Sequence, residues 1–91
     1  MVDEMDQAIG KILDTLDKQG IANDTIVLFM SDNGGSNVFG GTNTPLRGNK
    51  GDTFEGGIRV PAVLRWPGRL KAGTTMDQMM TVMDVLPTLA R

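Results

Sequence analysis

From Val2 to Leu16 the apolar positions Val2, Met5, Ile9, Ile12 and Leu16 recur three or four residues apart, and Ala8 and Leu13 widen the stripe. This spacing predicts an amphipathic helix over Val2 to Lys18. Asp3 and Glu4 in its first turn and Lys18 in its last complement the helix dipole, and Gly20 stands where a left-handed C-terminal cap belongs. After a polar turn at Asn23-Asp24 the pattern changes. Ile26-Val27-Leu28-Phe29-Met30 is continuously apolar, β-prone and too short for a helix, which predicts a strand buried on both faces in a parallel or mixed sheet. A second strand is expected within Ile58 to Trp66, ended by Pro67-Gly68. Pro61 inside it calls for an edge, a bulge or a late start, placing the strand near Val60 to Arg65. The switch from helical to strand patterning makes the fold class α/β.

Between the strands, Gly34 to Gly57 is rich in Gly and Asn and has no apolar periodicity. Loops of this length inside a compact unit are uncommon and are usually functional or disordered. Near the C-terminus, Asp84-Val85-Leu86-Pro87 can open a helix with Asp84 as N-cap and Pro87 in the first turn. Met76, Met79, Met80 and Met83 also fall at helical spacing, so a longer helix kinked near Pro87 competes with a short strand before it. Ordinary methionine usage makes that cluster core or partner-facing surface rather than a thioether metal site. No internal repeat or low-complexity stretch is present.

Composition narrows the chemistry. At 91 residues, 40% hydrophobic and 22% charged, the chain is one domain at most, with ordinary globular usage and a thin core. Nine basic residues scattered among eleven acidic ones, for a net charge of −2, give no cationic face for nucleic acid. No apolar run approaches the roughly 20 residues of a membrane span, and the first residues carry no export signal, so neither a membrane partner nor a location is indicated. Cysteine and histidine are both absent, which removes disulfides, thiol nucleophiles, Cys/His zinc sites and the usual base near neutral pH. Chemistry is left to carboxylates, amides, hydroxyls, Lys and Arg.

Two segments can carry such chemistry. Ser31-Asp32-Asn33-Gly34-Gly35 follows the first strand directly, at the carboxyl end where open α/β sheets bind ligands, and Asp32 and Asn33 offer the hard oxygen donors that Ca2+ or Mg2+ prefers. A plain turn is the competing reading, since Asn-Gly is itself a turn signal. Pro45-Leu46-Arg47-Gly48-Asn49-Lys50-Gly51 puts two cations in a glycine-bearing loop able to meet an oxyanion such as sulfate or phosphate. It is not a P-loop, and a solvated basic loop is its plainer reading. Glu55 could serve as a base, but an ion pair to Arg59 or Arg47 is the commoner role for one acid without a positioned partner.

Taken in order, these segments resemble the sulfatase family: the helix Met1-Val2-Asp3-Glu4-Met5-Asp6 through Gly10-Lys11-Ile12-Leu13, then Thr25-Ile26-Val27, Ser31-Asp32-Asn33-Gly34, Pro45 to Gly51, Glu55-Gly56-Gly57-Ile58-Arg59-Val60-Pro61, Arg65-Trp66-Pro67-Gly68 and Asp84-Val85-Leu86-Pro87-Thr88-Leu89. The resemblance covers essentially the whole chain as one unit, residues 1–91. It implies part of an alkaline-phosphatase-like α/β fold with an N-terminal helix, two or three strands, a long glycine-rich loop and a C-terminal helix. It implies Asp32 and Asn33 as calcium ligands and Lys50 as the catalytic-site lysine that contacts the substrate sulfate. Family members hydrolyse sulfate esters with a formylglycine made in a Cys-x-Pro-x-Arg type motif, and full-length members are often exported. That motif, an early Asp pair of the metal site and the histidines that assist the leaving group have no counterpart in these 91 residues.

The expected function is therefore a sulfatase-like segment with a partial divalent-cation and sulfate site, not a proficient sulfatase by itself. Ca2+ takes roughly six to eight oxygens, and one Asp-Asn pair supplies about two or three, so the cation is expected to be held weakly. A small self-assembling hydrolase of esterase or phosphatase type, using a metal-bound water, is the enzymatic alternative. A non-catalytic self-associating module is the other. The expected partners are a sulfate or phosphate ester or other oxyanion and a second copy of the chain, because strands lacking sheet neighbours leave edges and apolar faces that a homo-oligomer covers.

Overall fold

The computed structural model describes residues 1–91. Helix α1 spans Val2–Lys18, the range that the apolar stripe predicts. It ends in a Schellman turn: Gly20, at φ +70°, donates to the Asp17 carbonyl at 3.1 Å, and Ile21 donates to the Leu16 carbonyl at 3.1 Å. A single 3-10 turn over Ala22–Asp24 then leads into strand β1, Val27–Met30.

Strand β2 covers Ala62–Arg65 and pairs with β1 antiparallel, in the register Val27 with Arg65, Leu28 with Leu64, Phe29 with Val63 and Met30 with Ala62. One expectation changes here, and one of the three alternatives for Pro61 is selected. The apolar run of β1 suggested a doubly buried strand in a parallel or mixed sheet, yet the sheet is a two-stranded antiparallel pair and Phe29 is 44% exposed. The second strand takes the late start that Pro61 allowed: Ile58 closes a one-turn helix α2, Glu55–Ile58, and Pro61 stays outside the ladder. Pro61 has no N–H to give, but its carbonyl accepts the Ser31 N–H at 3.3 Å and so extends the pair by one bond. At the other end, Trp66 Nε1 donates to the Asn23 carbonyl at 2.9 Å and ties β2 to the turn before β1.

Asp84 stands at the N-cap position of the C-terminal helix, as expected, although its side chain makes no capping bond to that helix. A 3-10 turn over Val82–Asp84 runs into α3, Val85–Leu89. Thr81 is extended and caps this turn, and the Asp84 carboxylate reaches back to the Thr81 N–H at 2.7 Å in a capping box. Asp84 is thus both the N-cap of α3 and the third residue of the capping box that opens the 3-10 turn before it. The stretch from Met76 to Met80 forms neither helix nor strand, so the helical spacing of its methionines is not used.

Helix α1 lies over the sheet face that carries Val27, Phe29 and Val63, leaving a groove of about 300 Å³ between them whose α1 wall is Val2, Met5, Ile9 and Leu13. One ion pair spans the gap, Arg65 to Asp17 at 3.7 Å. No apolar side chain is buried: the three buried residues of the 91 are Gly34, Gly56 and Gly57. The accessible surface is 8052 Å², against about 5,200 Å² for a compact monomer of this mass. The radius of gyration is 15.5 Å, against about 12 Å for a compact domain of this length. Composition foresaw a thin core, and one helix with two strands closes none, because the groove between α1 and the sheet stays open.

The chain by itself is therefore expected to bind the dye ANS without denaturant and to lose its far-UV signal over a broad range of urea. A sharp cooperative transition with no dye binding would mean that the apolar faces are closed in solution.

Candidate functional site

The turn that follows β1 is built by its own side chains. Ser31 Oγ donates to the Asn33 carbonyl at 2.7 Å, and Asn33 Nδ2 donates to the Gly34 carbonyl at 2.8 Å. With its amide nitrogen committed to the backbone, Asn33 keeps Oδ1 as an open acceptor. Beside it, Asp32 is exposed, and its carboxylate enters no hydrogen bond or ion pair. Two hard oxygen donors of the kind expected from the sequence thus stand together at the carboxyl end of β1.

What fixes the turn in space is backbone against backbone. Gly34 donates its N–H to the Gly57 carbonyl at 3.0 Å, and Gly56 donates to the Arg47 carbonyl at 2.7 Å. A Cβ on Gly34 would fall on the Gly56 carbonyl, and one on Gly56 would fall on the Gly48 carbonyl. Three chain segments approach here closer than any side chain permits, which is the physical demand for glycine. The one-turn α2 inside the long loop supplies two of the three glycines, so this loop is ordered by contacts and not free.

The lysine loop is drawn to the same place. The Lys50 N–H donates to the Gly35 carbonyl at 3.0 Å, while the Lys50 side chain is exposed and enters no ion pair. Asp52 Oδ2 accepts the Asn49 N–H at 2.8 Å and closes the turn that presents Lys50. Arg47, the other cation of the loop, lies over the Phe54 ring with its guanidinium carbon 4.1 Å from the centroid. Glu55 pairs with Arg59 at 3.6 Å on the surface. That is the ion-pair role expected for it, and exposed pairs at this spacing contribute only about 0.5 kcal/mol.

Asn43 is the residue that reading the sequence missed. Its side chain bonds to both the N–H and the carbonyl of Gly35, at 2.8 and 2.9 Å, and to the carbonyl of Gly48 at 3.1 Å. The sequence around it, Asn43-Thr44-Pro45, signals only a local turn. Nothing in its spacing reveals a partner eight residues back.

The donors suit a hard cation but do not complete its shell. No three acidic, histidine or cysteine side chains gather anywhere in the chain. Asp32 and Asn33 alone thus offer about two or three of the six to eight oxygens that Ca2+ takes.

The Sulfatase family profile matches residues 1–91. Steryl-sulfatase of Rattus norvegicus is 48% identical over 98 aligned positions that take in 99% of this chain and 17% of that protein. Arylsulfatase H of Homo sapiens is 46% identical, over 98% of this chain and 17% of its own length. Among solved structures, Ps i-CgsB in complex with k-i-k-neocarrahexaose superposes with a TM-score of 0.94 at 40% identity, over 99% of this chain and 20% of that one. The chain spans about one sixth of the length of the curated relatives it matches.

The glycine contact makes a direct prediction. Gly34→Ala forces backbone apart at a site with no flexible neighbour, a cost of about 2 kcal/mol. The Gly56 amide should then exchange its hydrogen about 30-fold faster, with the amides of α1 unaffected. Gly10→Ala, where a Cβ meets nothing within 4 Å, should instead raise helicity by about 1 kcal/mol of stability. Equal tolerance of both substitutions would refute the stacked-backbone account.

Proposed function

Because the chain belongs to the sulfatase family, we propose that it contributes the part of a sulfatase site that grips the ester's charged end, with Asp32 and Asn33 holding a divalent cation and Lys50 meeting the sulfate oxygens. The observation that carries this reading is the Lys50 N–H donated to the Gly35 carbonyl at 3.0 Å, which sets the lysine loop against the Asp32-Asn33 turn. A hard cation and an ammonium side by side would draw charge out of a sulfate ester as the ester bond breaks. Calcium fits the donor set best, since it tolerates irregular oxygen shells, whereas Mg2+ demands near-octahedral geometry.

The family resemblance extends along 99% of the chain both for a protein named for steryl sulfates and for one crystallised with a neocarrahexaose. A segment shared by proteins with such unlike ligands suits the common element, the sulfate group and its cation, better than the part that distinguishes one alcohol from another. Within these 91 residues there is no cysteine, and neither Ser31 nor Ser36 begins an x-Pro-x-Arg motif, so the formylglycine nucleophile is not among this segment's contributions.

Calorimetry on the chain should show Ca2+ held weakly, with Kd about 10^-4 M or weaker, and should show that binding lost in Asp32→Ala. Lys50→Ala should leave Ca2+ affinity unchanged and weaken sulfate about tenfold. Turnover of an aryl sulfate by the chain should stay at background. Tight Ca2+ binding that survives Asp32→Ala would place the cation elsewhere, and turnover that vanishes in Asp32→Ala would promote the small-hydrolase reading.

Self-association is a second reading, and the open apolar faces favour it. The surface in excess of a compact monomer, about 2,900 Å², exceeds the roughly 1,600 Å² of a standard interface. In a larger sulfatase chain those faces would meet the rest of the domain; for this chain alone a second copy is the available cover. Sedimentation across a concentration series should give a dimer or larger species, and a monomer throughout would count against it.

A further inference from the structure

Asn43 sits between the two loops that the proposed chemistry needs in register. Its Oδ1 accepts the Gly35 N–H at 2.8 Å, and its Nδ2 donates to the Gly35 carbonyl at 2.9 Å and to the Gly48 carbonyl at 3.1 Å. Both hydrogens of the amide and its oxygen are therefore committed. The paired bonds to Gly35 copy those that a neighbouring strand residue would make, and the remaining N–H reaches into the loop that carries Lys50. The Gly35 carbonyl also receives the Lys50 N–H at 3.0 Å. The residue that ends the Asp32-Asn33-Gly34 turn is thus held by Asn43 and by Lys50 at once. Asn43 is itself anchored, its own carbonyl accepting the Leu46 N–H at 2.7 Å, and its side chain is half-buried, where such bonds gain from the exclusion of water.

We infer that Asn43 is a positioning residue that clips the Asp32-Asn33 turn to the Lys50 loop, so that ordering of the turn by a cation also orders the backbone that presents the lysine. This rests on the cation and oxyanion reading given above, while the clip itself can be observed without either ligand. A side-chain amide suits the task because it alone among short side chains offers an acceptor and two donors in one plane. Alanine keeps none of the three bonds. Aspartate keeps the bond to the Gly35 N–H and sets a second oxygen against two carbonyls. The Gly34 N–H to Gly57 contact does not involve Asn43, so the turn keeps its other anchor in either variant.

The test is amide hydrogen exchange on the 91-residue chain, with and without CaCl2, in wild type, Asn43→Ala, Asn43→Asp and the neighbouring control Thr42→Ala. In Asn43→Ala the Gly35 and Lys50 amides should exchange about tenfold faster or more, while the Gly34 amide and those of α1 hold steady. Asn43→Asp should keep Gly35 protection within about threefold and lose that of Lys50, which separates the clip from loss of fold. Ca2+ should slow Lys50 exchange in wild type and in Thr42→Ala but in neither Asn43 variant. The inference is overturned if Lys50 exchange is unchanged in the Asn43 variants, if Ca2+ slows it there as in wild type, or if the α1 and Gly34 amides accelerate together with it. Should Ca2+ leave wild type unaffected while the ligand-free differences stand, the cation reading fails and the clip survives.

Discussion

The site depends on one close approach, that of the Gly34 backbone to the backbone of Gly56 and Gly57. These three glycines are the chain's only buried residues, so its most shielded point is made of peptide groups and not of hydrocarbon. A hydrogen bond there is worth more than its exposed equivalent, because water does not compete for the donor and leaving the group unpaired would be costly. A side chain on any of the three would push the turn after β1 away from the lysine loop. The backbone bond from Lys50 to Gly35 that joins the two loops would then be lost.

That polar arrangement coexists with apolar faces left open. Helix α1 and the β1–β2 pair turn Met5, Ile9, Phe29 and Val63 toward one groove without closing it. Amphipathic elements of this kind gain little until something covers them, since most of a helix's stability in a protein comes from packing its apolar face. The ordered loops and the incomplete core are therefore sustained by different means: backbone hydrogen bonds hold the former, while the latter awaits hydrocarbon from outside these elements.

Side-chain chemistry divides along the same line. Arg47 and Lys50 are both cations in one glycine-bearing loop, yet Arg47 stacks on Phe54 and Lys50 stands clear. The guanidinium, planar and weakly hydrated, pairs readily with an aromatic face, whereas the ammonium remains a compact point charge suited to an oxyanion. In the turn after β1, Asn33 spends its nitrogen on its own backbone and Asp32 spends nothing. The free donors of the two loops are thus oxygens on one side and an ammonium on the other.

Much of the architecture was legible in local patterns. The extent of α1 follows from a stripe that repeats every turn, its end from a glycine able to take positive φ, and the position of β1 from an apolar run too short for a helix. The resemblance to sulfatases was legible too, because ordered motifs at compatible spacing survive without reference to contacts. What the residues could not disclose was the antiparallel partner of β1, the 3-10 turn that the extended Thr81 opens before the Asp84 N-cap, and the failure of the apolar faces to close. Nor could they disclose Asn43's reach to Gly35 or the stacking of Gly34 on Gly56. Periodicity, caps and turn residues are dictated by neighbours a few positions away, so the sequence by itself determines them. Which peptide group meets which across the long loop is a matter of distance in space, and only the tertiary structure decides it.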